Sequence, residues 1–276
     1  MLTMGLEAKT SVLPYYEIEH PEISRICVFP TPEETAQAAA GEIIGLVRAN
    51  PHANITYATG DTVIPLYESL AKAAKEGRVD FSQTSGFHLD EYYPCGPDIN
   101  EYPHGFVAYL RQRVFAPLGI KKANEMNGLA SDPEAEAKRY DSLLSAQPID
   151  IAILGIGPWS DEEQTGCHIA FNESGTPINQ RVHVQILDPV TLMRDRQERG
   201  QNSPDRTLTQ GIANILEARR IILLAYGEKK GQSLREALFG EIGSQRPASA
   251  LRLKGHKVTL FIDEAAASQL KKKLIL

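Results

Sequence analysis

The chain is poor in cysteine and carries no excess of positive charge. Its three cysteines, Cys27, Cys95 and Cys167, lack the paired spacing of a metal site. No signal peptide is expected, and no apolar run approaches the roughly 18 residues of a membrane span. Lys plus Arg number 29 against 35 Asp plus Glu, giving a formal charge of -6, which argues against a nucleic-acid partner bound through its phosphates. Internal repeats and low-complexity tracts are missing too. These absences predict a soluble, cytoplasmic protein with neither a membrane nor a nucleic acid as partner. What the chain does have is core: 276 residues, 42% of them hydrophobic, with no break in composition, predict one domain spanning 1–276.

Apolar runs and capped helices alternate along that length. Arg25 to Pro30 reads as a strand, and Thr31-Pro32-Glu33-Glu34 supplies an N-cap, an early proline and first-turn acids for a helix running to about Asn50. Strands are expected at Asn54 to Ala58, Thr84 to His88, Ile149 to Leu154, Arg181 to Leu187, Ile221 to Ala225 and Lys257 to Ile262. Helices are expected at Val63 to Lys75, His104 to Phe115, Pro133 to Ser145, Thr209 to Glu217 and Lys229 to Phe239. The alternation predicts an α/β fold with a doubly wound, mostly parallel, Rossmann-like sheet flanked by helices, and places ligand loops at the strand C-termini. The polar segment Asp188 to Arg206 offers little core and reads either as a lid or as a solvated excursion. Met1 to Glu22 either packs on the sheet or reaches a neighbouring subunit, and Lys271-Lys272-Lys273 reads as a solvated helix end.

Three loops carry the chemistry. The run Ile149 to Leu154 stops at Gly155-Ile156-Gly157, and its loop then delivers His168 and Glu173 five residues apart. A histidine titrates near neutrality and a carboxylate can orient it, so the pair has the makings of an acid/base site. A structural histidine is the plainer reading, but Gly166, Asn172 and the acids Asp161, Glu162 and Glu163 make the loop more polar than capping requires. Cys167 is a nucleophile only if it can face a base, and side chains of adjacent residues rarely converge. In the second loop, Asp90 and Glu91 follow a strand; adjacent loop acids are most often solvated or capping, yet this pair lies at the sheet edge expected to hold His168. The third, Thr59-Gly60-Asp61-Thr62, joins a strand to a helix, where backbone N–H groups can meet an anion or serve only a turn.

Taken together, Thr59-Gly60-Asp61-Thr62, Leu89-Asp90-Glu91-Tyr92-Tyr93, Ile169-Ala170-Phe171-Asn172-Glu173 and Ala248-Ser249-Ala250-Leu251-Arg252-Leu253 resemble glucosamine-6-phosphate deaminases across most of the chain. The likeness implies ring opening of an amino sugar, aldose-to-ketose isomerisation and release of ammonia, without an organic cofactor or a metal. It implies that Asp90 moves the proton between C1 and C2, that His168 assists ring opening and that Glu173 tunes it. Thr59, Gly60, Asp61, Thr62, Glu91, Thr176, His183 and Gln185 would line the sugar or sugar phosphate. Oligomers of identical chains occur among related enzymes, and the sequence identifies no interface.

The chain also departs from that pattern. The stretch between Gly157 and His168 is longer than the family's G-x-G-x-D-G-H, which removes the usual Asp partner of the histidine and leaves Asp161 and Glu163 as replacements. His183 and Gln185 stand where phosphate-gripping cations are expected, and Asp205, next to Arg206, stands at a third such place. Asp61 replaces a glycine of the phosphate turn, and Arg181, Arg194 and Arg196 are the basic residues available to compensate. Two rival functions follow: hydrolysis of a sugar lactone, with His168 activating water, and sugar binding by a regulator without turnover.

Overall fold

The structure is a computed structural model and describes residues 16–270. In chain order the strands are β1 (Tyr16–Glu17), β2 (Arg25–Phe29), β3 (Asn54–Tyr57), β4 (Ser85–His88), β5 (Asp90–Tyr93), β6 (Lys122–Asn124) and β7 (Ile151–Leu154). They continue as β8 (Trp159–Ser160), β9 (Thr165–Gly166), β10 (His183–Ile186), β11 (Arg206–Thr209), β12 (Arg220–Ala225) and β13 (Val258–Asp263). The helices are α1 (Pro32–Ala49), α2 (Ile64–Lys75), α3 (Phe106–Leu110), α4 (Ala116–Leu118), α5 (Pro133–Ala146), α6 (Pro189–Arg199), α7 (Ile212–Glu217) and α8 (Gly231–Phe239). A π-helical turn, Arg111–Phe115, joins α3 to α4.

Eight strands form the main sheet in the order β1-β2-β13-β12-β7-β3-β4-β6. All its pairings are parallel except β1 on β2. Both faces of such a sheet must be covered, which is why β7, β12 and β13 are apolar almost throughout, Ile153, Leu154, Ile222, Leu224 and Ile262 being fully buried. The helices begin where the caps foretell: Thr31 Oγ1 accepts from Glu34 N at the start of α1, and Asp132 Oδ1 accepts from Ala135 N at the start of α5. β1 lies on the sheet edge and Arg252 bonds Glu22, so the described part of the N-terminal segment packs against the sheet. The tail Lys271-Lys272-Lys273 lies outside the described residues.

From β3 the chain winds outward through β4 to β6, then returns to place β7 on the other side of β3 and winds the opposite way through β12 and β13. The order therefore reverses between β3 and β7, and the crevice at their C-terminal ends is where ligands of open α/β sheets bind. A second sheet of three antiparallel strands, β10-β11-β5, is reached directly from β4, one residue separating His88 from Asp90.

The segment 188–206 departs from the sequence expectation of little core. Its Leu192 packs, partly buried, against a second, smaller core made of Tyr92, Cys95, Phe106, Phe171 and Leu187, the residue just before the segment. Helix α6 forms on that cluster.

Candidate active site

The loops after β3 and β7 meet at the reversal. After β3, Gly60 turns the chain at φ 105°, a conformation that strains any side chain, and Asp61–Val63 form a 3₁₀ turn leading into α2. Thr59, Gly60 and Thr62 are half-buried, whereas Asp61 is exposed. The first N–H groups of that turn have no intrahelical acceptor, which suits an anion.

After β7, the residues that lengthen the loop fold as a hairpin, Trp159 pairing with Gly166 and Ser160 with Thr165. The hairpin returns the chain so that Gly157 N donates to His168 O at 2.8 Å. The imidazole lies directly over Gly157, and a Cβ there would overlap its ring atoms. Cys167 and Ala170 flank the histidine with φ of 58° and 53°, left-handed conformations that cost a non-glycine residue about 1–2 kcal/mol each. Strain concentrated on both sides of one half-buried histidine is the mark of a position held for use.

His168 Nδ1 lies 3.3 Å from Glu173 Oε2. Glu173 is buried, yet its carboxyl sits below the ordinary glutamate range: burial pushes it up, and His168, Thr191 and Arg194 together push it down further. The Cys167 thiol sits apart from this chemistry, buried with Sγ 3.2 Å from Ser233 O, and burial pushes it up to about 12. It is a poor nucleophile.

Asp90 reaches the same crevice from the second sheet. It is 6% exposed at the start of β5, opposite Thr209 of β11. Thr209 Oγ1 in turn accepts from Phe171 N at 3.2 Å, so the Asp90 strand and the His168 loop are bonded through one hydroxyl. Tyr92, Phe106 and Phe171 pack together with ring centroids 4.9–5.9 Å apart, the two phenylalanines stacked and the tyrosine tilted against both. Asp90 also faces Tyr67, whose hydroxyl donates to Ala58 O at 2.7 Å, next to Thr59. The strand that opens with Asp90, the loop of His168 and Glu173 and the end of β3 before the Thr59–Thr62 turn are thus tied together by hydrogen bonds.

Glu91 does not join them. It is fully buried, and its two oxygens accept from the backbone N–H groups of Tyr92, Phe106 and Val107, capping α3, so no lone pair is directed at a sugar. Burial pushes its carboxyl up to about 7 against those three donors. Thr176, Gln185 and His183 engage one another, with Thr176 Oγ1 3.4 Å and His183 Nε2 3.1 Å from Gln185 Oε1. Asp161 accepts from Trp159 Nε1 at 2.9 Å within the hairpin instead of partnering His168.

Sequence reasoning missed two residues at this site, Lys230 and Asp188, and offered Arg194 only as a cation for the phosphate. Lys230 Nζ donates to Ile156 O in the glycine loop at 2.7 Å, carrying a cation from the end of β12 to the end of its neighbour β7. Arg194 and Asp188, from α6, both face Glu173. Arg181, by contrast, is committed to Asp141 and Glu217 at 2.6–2.9 Å. Among the described residues, no group of three or more His, Cys, Asp or Glu is arranged to hold a metal ion, and no helix is long and apolar enough to cross a membrane.

A doubly wound α/β sheet with a histidine–carboxylate pair and a separate aspartate at its reversal point defines a Rossmann-like protein with a proton-transfer site. Comparison with known proteins narrows the class. The chain belongs to the glucosamine-6-phosphate isomerase/6-phosphogluconolactonase family, whose model matches residues 30–260. It is 36% identical over 253 residues to the glucosamine-6-phosphate deaminase of Halothermothrix orenii, covering 89% of this chain and all of that one. The Bacillus cereus strain B4264 deaminase is 34% identical over 246 residues, 88% of each chain. Among solved structures, a monomeric glucosamine-6-phosphate deaminase superposes with a TM-score of 0.81 at 34% identity, covering 88% of this chain and 99% of its own. The 6-phosphogluconolactonase of Trypanosoma brucei shares the fold, with a TM-score of 0.66 at 20% identity over 89% of this chain and 98% of its own.

Proposed function

We propose that the protein is an amino-sugar phosphate isomerase and deaminase, converting glucosamine 6-phosphate or a close relative, with water, to the ketose phosphate and ammonia. The observation that carries this reading is the His168–Glu173 pair held over Gly157, with Asp90 brought to the same crevice through Thr209. The reaction needs two proton-transfer groups in different places, one at the ring oxygen and one beside the carbon carrying the amine. His168 gives and takes the proton of the ring oxygen as the hemiacetal opens, and Glu173 stabilises its charged form. Asp90 removes the proton from C2, exchanges it with solvent and delivers a proton to C1, leaving an imine at C2. Water adds to that carbon, and ammonia leaves.

For the phosphate, the 3₁₀ turn at Asp61–Val63 offers backbone N–H groups, and Lys230 offers the cation that His183 and Gln185 do not. Charge-assisted contacts are about twice as strong as neutral ones, so one well-placed lysine offsets much of the loss. Ammonia and ketose release from phosphorylated and unphosphorylated glucosamine and galactosamine tests the reading, with Asp90→Asn as blank. Turnover of the phosphorylated sugars is expected. Lactone hydrolysis with no ammonia from any amino sugar would overturn it.

A further inference from the structure

Leu89 is the single residue that joins β4 of the main sheet to β5 of the second sheet, and Asp90 is the first residue beyond it. The direction in which Asp90 leaves the main sheet is therefore set by the peptides of His88 and Leu89. Both of their carbonyls are held by the residue that follows β11. Gln210 N donates to Leu89 O at 2.9 Å, and its side-chain Nε2 donates to His88 O at 2.8 Å and to Thr56 Oγ1 of β3 at 3.2 Å. A carbonyl oxygen only accepts, so the amide nitrogen, and not its oxygen, faces His88. The backbone oxygen of Gln210 accepts from Asn172 Nδ2 at 2.9 Å, and Asn172 directly precedes Glu173. Gln210 is 1% exposed, and Thr56 and Asn172 are fully buried. A buried amide costs stability unless it is bonded, and an apolar side chain would fill this place without that cost. What the amide adds is a directed bond to the β4–β5 corner, from a residue already fixed to the loop of His168 and Glu173.

We propose that Gln210 is a positioning residue for the isomerisation: its side-chain amide fixes the β4–β5 corner so that Asp90 stands at the carbon that loses its proton, in register with the His168–Glu173 loop. The inference rests on the proposed function and adds to it the part that holds the two proton-transfer groups in place relative to each other. The backbone bonds of Gln210 to Leu89 and Asn172 survive a change of side chain, and Tyr140 Oη still donates to His88 O at 2.9 Å. Loss of the amide therefore leaves the fold standing and loosens the orientation of the corner. Proton transfer is the step that feels such a shift, because a misplacement of about 1 Å can cost about a hundredfold in rate.

Gln210→Met keeps nearly the same length and removes both side-chain bonds. With glucosamine 6-phosphate, kcat should fall about tenfold while KM changes by less than about twofold. With substrate deuterated at C2, the isotope effect on kcat should stay as large as in the wild type or grow, because the slowed step is the one that breaks the C2–H bond. Thr56→Val removes only the amide's second acceptor. It should show the same signature with a loss of about two- to threefold, and it decides the matter if Gln210→Met fails to fold. Undiminished kcat would overturn the inference. So would a fall in kcat with a smaller isotope effect, or with KM raised in proportion, since either places the damage at another step. Absence of ammonia from the wild-type reaction is a separate outcome: it would sink the proposed function, and this inference with it, before any variant is compared.

Discussion

Gly157 and His168 are a pair in which the smaller residue decides where the larger one lies. Gly157→Ala places a methyl in the space of the imidazole, and we expect kcat to fall at least tenfold with little change in thermal unfolding, since the loop can shift outward. Asp90→Asn should lower kcat by about 10²–10⁴, the range for loss of one general acid or base, with the unfolding temperature preserved. Glu173 adds a pH signature. Its native carboxyl lies below the ordinary 4.5, so its contribution to stability is present above about 4.5 and is lost as pH falls through the native value. The stability difference between wild type and Glu173→Gln, measured by denaturant unfolding, should therefore shrink below pH 4.5. At this scale the sequence displayed Asp90, His168 and Glu173, because each follows an apolar strand in a short motif. Asp188 and Lys230 could not be seen, since they reach the site across 15 and 74 residues of chain from Glu173 and Ile156 and no spacing rule joins them. Glu91 was misplaced for the opposite reason: it neighbours Asp90 in sequence, but on a strand successive side chains point to opposite sides.

Helix α6 is tied to β5 by Tyr92 Oη, which donates to Asp195 Oδ2 at 2.7 Å, with Asp195 fully buried. Tyr92→Phe leaves that carboxylate short of a donor, a loss of about 1–3 kcal/mol. We expect faster amide exchange across 189–199 and a raised KM, with exchange in β7 and β12 unaltered. Glu91→Ala leaves three buried N–H groups without acceptors and should destabilise the fold by several times that of a surface substitution, about 2–4 kcal/mol. Because burial raises the native Glu91 carboxyl to about 7, the wild type's margin over the variant should narrow as pH rises through 7. Six main-sheet strands, β2, β3, β4, β7, β12 and β13, and the helices α1, α2, α5 and α8 were legible from period and caps, whereas the short edge strands β1 and β6 were not. The α6 helix was not, since its few apolar residues pack on a satellite cluster assembled from β5, α3 and the catalytic loop. Strands β5 and β11 were hidden too, being short and half polar, with Asp90 and Glu91 opening one of them.

Over the whole molecule, one reversal of winding brings together loops that are 31 to 114 residues apart, counting from Thr59 to Asp90 and to Glu173. The alternation of strands and helices foretold that such a crevice exists, but not which two strands border it, because strand order is set by packing across the sheet. Deaminases and lactonases share this fold, so the fold alone does not select the reaction. The proposed selection rests on Asp90: an isomerase needs a base at the carbon, and a lactonase does not. The decisive measurement is turnover of glucosamine 6-phosphate in D₂O, reading ammonia and the position of deuterium. The account predicts ammonia release with deuterium in the C1 position of the ketose, both lost in Asp90→Asn. Ammonia-free lactone hydrolysis, or deamination undiminished in Asp90→Asn, would contradict it.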